Sequence, residues 1–176
     1  NCALALSALD LLGRGDDEFE ESAIFRGLAK TSHPGRMDLV WKRPRILVDG
    51  AHNPAALHAL MRGIGSHISF DSMICIFGCN SDKDVDANLE KVALGGDKII
   101  FTKASGQPRA AEPEELSKRF ATLRGRTCQT APNVKAAIEI ASQAVGRDDL
   151  ICITGSFYLV GEAMALLQNA KEARAS

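Results

Sequence analysis

Residues 73–77 read Met-Ile-Cys-Ile-Phe, and residues 150–154 read Leu-Ile-Cys-Ile-Thr. Each is a five-residue run without a charge. Each gives way at once to a polar turn: Gly78-Cys79-Asn80-Ser81-Asp82-Lys83-Asp84 after the first and Gly155-Ser156 after the second. A strand with one wet face alternates apolar and polar residues, whereas a strand covered on both faces does not, so these runs predict buried parallel strands. Working outward, Lys98-Ile99-Ile100-Phe101-Thr102 reads as a third such strand, and Arg126-Thr127-Cys128 as a weak edge strand. Residues 37–41 and 45–49 flank a Lys-Arg-Pro turn and predict a hairpin.

Helical patterns separate these runs. Leu57, Leu60, Met61 and Ile64 recur at i, i+3, i+4 and i+7. Val85, Leu89 and Val92 give the next helix, and Leu116, Phe120 and Leu123 another, which Pro113 suits as a first-turn residue. Asn133 is placed to cap a helix carrying Val134, Ala137, Ile138, Ala141 and Val145, and Phe157, Val160, Met164 and Leu167 mark the last helix. Ahead of the alternation, residues 3–12 predict a helix ended by Gly13, and residues 19–30 a weaker one through Phe19, Ala23, Ile24 and Leu28. Ser32-His33-Pro34-Gly35 breaks the pattern, so a boundary is expected near residues 31–35. The expected fold class is α/β: a Rossmann-like, mostly parallel sheet with helices on both faces and an edge hairpin, preceded by a short helical segment.

Composition sets limits. The chain has 176 residues and a formal net charge of −1, and 45% of its residues are hydrophobic. That length suits one compact domain with a small appendage, able to bury roughly 70% of its unfolded surface. Near-neutral charge argues against a surface built to neutralise nucleic-acid phosphates. No apolar run approaches the ~18 residues of a membrane span. The five cysteines, Cys2, Cys75, Cys79, Cys128 and Cys152, are odd in number and form no CxxC pair. They read as reduced, mostly buried thiols of a cytoplasmic protein, and no metal site is expected among them.

In a sheet of this kind ligands bind outside the carboxyl ends of the strands. Those ends carry Asp49-Gly50-Ala51-His52-Asn53-Pro54, then Asn80-Ser81-Asp82-Lys83-Asp84, then Thr102-Lys103 with Arg109 soon after, then Thr154-Gly155-Ser156. Each has a bland reading beside the functional one. Asn53 and Pro54 suit a helix start, Asp49 a turn, Asp82-Lys83-Asp84 a solvated turn, and Ser156 a helix cap. Alternatively, Asp49 is a ligand for ribose or magnesium, Lys83 reaches a carboxylate, and Ser156 holds an anion at a helix N-terminus. His52 reads equally as a satisfied loop histidine or a ligand, and His58 and His67 as surface residues.

Five blocks in this order resemble folylpolyglutamate synthase/dihydrofolate synthase, a Mur-ligase-superfamily enzyme, in its C-terminal part. They are Pro34-Gly35-Arg36, Asp49 to Pro54, Ser81 to Asp84, Pro108-Arg109-Ala110, and Thr154-Gly-Ser-Phe-Tyr-Leu-Val-Gly-Glu162. The DGAHNP and TGSFYLVGE blocks are specific, while PGR or DKD alone is weak. His33 departs from the family, which commonly has Trp before Pro-Gly-Arg.

The resemblance implies residues 1–34 as the tail of a central ATPase domain plus linker, and residues 35–176 as a C-terminal glutamate-ligase domain. It implies an ATP-dependent ligase that phosphorylates a folate carboxylate and lets the amino group of L-glutamate attack the acyl phosphate. It implies ATP contacts for Asn1, Arg36 and Asp49, and glutamate contacts for His52, Lys83 and Ser156. The implied partners are ATP, L-glutamate, reduced folate and the protein's own N-terminal ATPase domain, with neither nucleic acid nor membrane. The chain contains no GxxxxGK[ST] phosphate loop and no Gly-Lys dipeptide. The family keeps that loop and its Mg2+ ligands in the N-terminal region, so this chain is expected to be inactive alone, and no catalytic residue is assigned within it. The alternatives are the C-terminal domain of another Mur-type amino-acid ligase, or a non-catalytic nucleotide-binding module.

Overall fold

The structure, a computed structural model, describes residues 2–13, 20–126 and 128–175. They divide into two units between His33 and Pro34. The first holds helices α1 (Cys2–Leu12) and α2 (Glu21–Lys30). Gly13 donates to the Leu9 carbonyl at 2.8 Å and closes α1 as expected. The predicted second helix is shorter by two residues at its start, and Phe19 lies outside the described residues. Neither helix buries a residue, and Leu4, Leu11, Leu12 and Phe25 are exposed.

The second unit follows the predicted alternation. After the hairpin β1 (Asp38–Lys42) and β2 (Arg45–Asp49) come α3 (Pro54–His67), β3 (Met73–Phe77), α4 (Val85–Val92), β4 (Lys98–Phe101), α5 (Pro113–Arg124), β5 (Gln129–Thr130), α6 (Val134–Ala144), β6 (Leu150–Thr154) and α7 (Phe157–Ala175). The six strands form one sheet in the order β1-β2-β6-β3-β4-β5, parallel except for the antiparallel edge strand β1.

The two faces of this sheet are read off alternate residues. Leu47, Cys75, Phe77, Ile99, Phe101 and Cys152 point into one core with α3, α4 and α5. Ile46, Val48, Ile74, Ile76, Ile100, Ile151 and Ile153 point into the other with α6 and α7. Both faces are dry, which is why the central strands carry no polar alternation. Phe77, Phe101 and Phe120 continue one core as an edge-to-face stack with centroids 6.3 and 5.8 Å apart.

Helix starts follow the chemistry read from the sequence. Asn53 Oδ1 accepts from the Ala56 amide at 2.9 Å with Pro54 next in line, and Asn133 Oδ1 accepts from Ala136 at 2.9 Å. The edge strand expected at residues 126–128 forms instead at Gln129–Thr130, where Gln129 meets Ile100. Gly125, at φ 62°, ends α5, and Arg126 is spent on the Asp97 carbonyl, so the chain pairs only later. Thr127 lies outside the described residues.

The strand order positions the site. After β2 the chain skips one place to lay down β3, continues outward through β4 and β5, and returns with β6 to fill the gap. Asp49 and Phe77 therefore end on either side of Thr154, each in register with it. Three loops far apart in sequence emerge side by side where the winding reverses, the place at which an open α/β sheet forms a crevice.

Candidate functional site

The loop after β2 is tied to the chain ahead of β1 through Asp49, which is 7% exposed. Its Oδ2 accepts from the Met37 amide at 2.9 Å, and its Oδ1 from the Ala51 amide at 2.8 Å. The Gly50 amide donates to the Gly35 carbonyl at 2.9 Å. The Asp49 carboxylate thus bonds backbone on both oxygens and fixes the 34–37 loop, which carries Arg36, above the strand end. Met37 takes φ 42°, a left-handed conformation that these bonds hold in place.

The loop after β6 turns on Gly155, whose φ is 110°. A Cβ there would fall 2.5 Å from the Gly78 carbonyl, so only glycine fits the turn. The turn opens α7 beside the β3 end. Ser156 Oγ accepts from the Tyr158 amide at 3.2 Å, the cap read from the sequence. The N-terminus of a 19-residue helix thus faces the loops after β2 and β3 with its positive dipole end. Phe157, predicted in the apolar stripe of this helix, is 47% exposed; Leu159, Val160, Ala163 and Leu167 carry the buried face.

The loop after β3 is braced by the loop after β4. Asn80 bridges Ala110, and the Ser81 amide donates to the Arg109 carbonyl at 2.8 Å. Asp84 caps α4 by accepting from Ala87 at 3.1 Å, which leaves Lys83 at the mouth of the turn, 3.9 Å from Asp82. The wholly buried Asn88 of α4 reaches the His52 carbonyl with Nδ2 at 3.5 Å.

These loops enclose a cleft of about 190 Å3 lined by His52, Asn80, Lys83, Gly155, Ser156, Phe157 and Tyr158. His52, Lys83 and Ser156, singled out from sequence, share it. His52 Nδ1 lies 3.0 Å from the Gly50 carbonyl; that oxygen only accepts, so Nδ1 is the donor there and Nε2 is the ring nitrogen turned away from it. Arg36 stands outside the cleft, its guanidinium 4.6 Å above the Phe157 ring. Asn1 lies outside the described residues. Asn80, read as part of a strand end, and Tyr158, read within the TGSFYLVGE block, also line the cleft, although neither has a role of its own in the sequence reading.

Cys79 lies just behind this edge, and burial pushes its thiol up to about 12, so it serves as an inert apolar group. Among the described residues, no three His, Cys, Asp or Glu side chains are grouped to hold a metal ion. Nor is any described helix long and apolar enough to cross a membrane.

The family model for "Mur ligase, glutamate ligase domain" matches residues 35–157, a span that contains all six strands. This chain belongs to the Mur ligase family. Among curated Mur-ligase relatives, the dihydrofolate synthase/folylpolyglutamate synthase of Mycobacterium tuberculosis is 30% identical over 94% of this chain and 37% of its own length. Among solved structures, Escherichia coli FolC in complex with DHPP and ADP superposes with a TM-score of 0.84 at 26% identity, covering 97% of this chain and 39% of that one. A bifunctional folylpolyglutamate synthase/dihydrofolate synthase with Mn, AMPPNP and L-glutamate bound gives 0.76 at 27% identity, covering 85% and 35%. The chain spans less than two-fifths of the length of these Mur-ligase relatives. The resemblance carried by the DGAHNP and TGSFYLVGE blocks agrees with them.

Proposed function

We propose that this chain is the C-terminal part of an ATP-dependent ligase that adds L-glutamate to a reduced folate through an acyl phosphate. Residues 1–34 are then the tail of the central ATPase domain and the linker, and the cleft receives the incoming glutamate. The observation that carries this reading is the convergence of His52, Lys83 and Ser156 from three separate loops on one cleft of about 190 Å3. The solved relative with L-glutamate bound supports it.

Each group has a task that suits an amino acid. The Lys83 ammonium and the N-terminus of α7 attract carboxylates. Ser156 Oγ accepts from Tyr158, so its own hydrogen remains to be donated. His52 Nε2, the ring nitrogen not engaged by the Gly50 carbonyl, is the one left for the amino group, which must lose a proton before it can attack an acyl phosphate.

The nucleotide side is carried by the 34–37 loop and, by resemblance, Asn1. Arg36 offers a planar fork for phosphate oxygens, and Asp49 acts by holding its loop. Positioned cations of this kind meet the charge that develops on transferring phosphoryl oxygens. Magnesium, when bound, supplies further neutralisation of that charge. The described residues offer it no cluster of ligands, and it is expected to be held by the N-terminal region.

The test is to incubate the intact gene product with ATP, magnesium, tetrahydrofolate and labelled glutamate. Label should enter the folate. The 176-residue chain under the same conditions should give no turnover above a no-enzyme control. An intact protein that folds and binds ADP yet transfers no glutamate contradicts the reading, and turnover by the chain alone contradicts the division of the active site.

A further inference from the structure

One ring touches both halves of the proposed site. The Arg36 guanidinium lies 4.6 Å from the centroid of Phe157, and the His52 ring lies 6.1 Å from it, tilted by 53°. The ring is seated from beneath by bare backbone: a Cβ on Gly50 would fall 2.3 Å from Phe157 Cε1. Gly50 in turn donates to Gly35 at 2.9 Å and meets His52 Nδ1 through its carbonyl at 3.0 Å. The 34–37, 50–53 and 155–158 loops therefore share Phe157 as a neighbour. Core packing does not account for a large ring here, because Phe157 is half exposed and Leu159, Val160, Ala163 and Leu167 carry the buried face of α7.

We propose that Phe157 is a positioning residue that holds the Arg36 fork and the His52 imidazole in register, so that nucleotide and amino acid are gripped relative to one another. This rests on the ligands that the proposed function gives to Arg36 and His52. A guanidinium seated on an aromatic face has fewer rotamers to lose when phosphate arrives, and a pinned imidazole keeps its Nε2 aimed. An aliphatic side chain fills the same space but gives the cation no ring face to rest on.

The test is a double-mutant cycle in the intact gene product. Equilibrium binding of ADP with magnesium is measured by calorimetry, and the KM for glutamate by steady-state kinetics. Arg36→Ala should weaken ADP binding by about tenfold or more, through loss of charge-assisted bonds. Phe157→Leu should weaken it about 2- to 5-fold, as expected for an exposed cation–π contact. The double variant should bind ADP no more weakly than Arg36→Ala alone. Phe157→Leu should also raise the glutamate KM about 2- to 5-fold, and should do so in the Arg36→Ala background as well. Phe157→Tyr restores the ring face and should lose less than half as much.

Melting temperature separates this role from a structural one and should move by only a few degrees; if Phe157→Leu unfolds, Phe157→Met replaces it in the cycle. Additive losses in ADP binding, or Phe157→Leu binding ADP and using glutamate as the unaltered protein does, overturn the role of Phe157 and leave Arg36 with the nucleotide. Unchanged ADP binding in Arg36→Ala overturns the underlying reading instead.

Discussion

Asp49, at the last position of β2, accepts the backbone amide of Met37 at 2.9 Å, although the two residues are separated by the whole hairpin. Its second oxygen accepts from Ala51 at 2.8 Å. One carboxylate thus joins the loop ahead of the hairpin to the loop behind it. A charged acceptor shared by two amides contributes more than a neutral pair, and removing it leaves both donors to find water.

Asp49→Ala should therefore lower both stability and nucleotide use. The expected cost is about 2–4 kcal/mol, from two charge-assisted bonds. The KM for ATP in the intact gene product should rise with it, because the Arg36 loop comes loose. Asp49→Asn keeps one acceptor oxygen and should fall between. Urea unfolding of the three proteins checks the order, and an Asp49→Ala protein with unchanged stability contradicts the assigned role.

The parallel sheet was legible because the 73–77 and 150–154 runs lack polar alternation, which only a doubly covered strand tolerates. That His52, Lys83 and Ser156 lie together was legible because the carboxyl ends of the strands in such a sheet open on one side; the ligand given to them came from the resemblance alone. The return of β6 to the gap between β2 and β3 was not legible, since no local property of Leu150–Thr154 names its neighbours. Phe157 was misread for a related reason. Its spacing fits the α7 stripe, but Gly155 turns the chain so that the first helical residue faces Gly50 rather than the core. The double duty of Asp49 was hidden because the partners of a carboxylate are set by tertiary contact.

The opposite edge of the sheet gives a pH test. Asp149 accepts from the Gly146 amide at 2.6 Å and from the amide and hydroxyl of Ser72 at 3.0 and 2.8 Å. These bonds, the one from Gly146 foremost, hold its carboxyl below the ordinary aspartate range. In the unfolded chain Asp149 binds its proton at a higher pH than in the fold. Its contribution is therefore complete above the unfolded value of ~4 and is lost as pH falls through the folded value. Asp149→Asn should melt lower than the unaltered protein at pH 7, and the gap should narrow steadily below pH 4. A gap that is constant or widens with acid contradicts this.

Thiol chemistry checks the packing beneath the cleft. Cys75, Cys79 and Cys152 are buried and Cys2 is exposed. With the Cys79 thiol pushed up to about 12 by burial, almost none of it is thiolate at pH 8. Brief iodoacetamide treatment of the native protein should label Cys2 and spare Cys75, Cys79 and Cys152, while all five react in denaturant. Rapid native labelling of Cys79, read by peptide mass spectrometry, means that the edge behind the cleft is open.

The substrate constants of Lys83→Ala in the intact gene product test the glutamate cleft most directly. Lys83 shares the cleft with His52 and Ser156, and Arg36 stands outside it. Loss of a charge-assisted contact to a carboxylate removes binding made equally in ground and transition states, so it shows mainly in KM. The KM for glutamate should rise by about 10- to 100-fold, while the KM for ATP stays within about threefold. An unchanged glutamate KM makes Lys83 a solvated turn residue, and a shift in the ATP constant without one in the glutamate constant places the two substrates the other way round; either result contradicts the assignment of this cleft to glutamate.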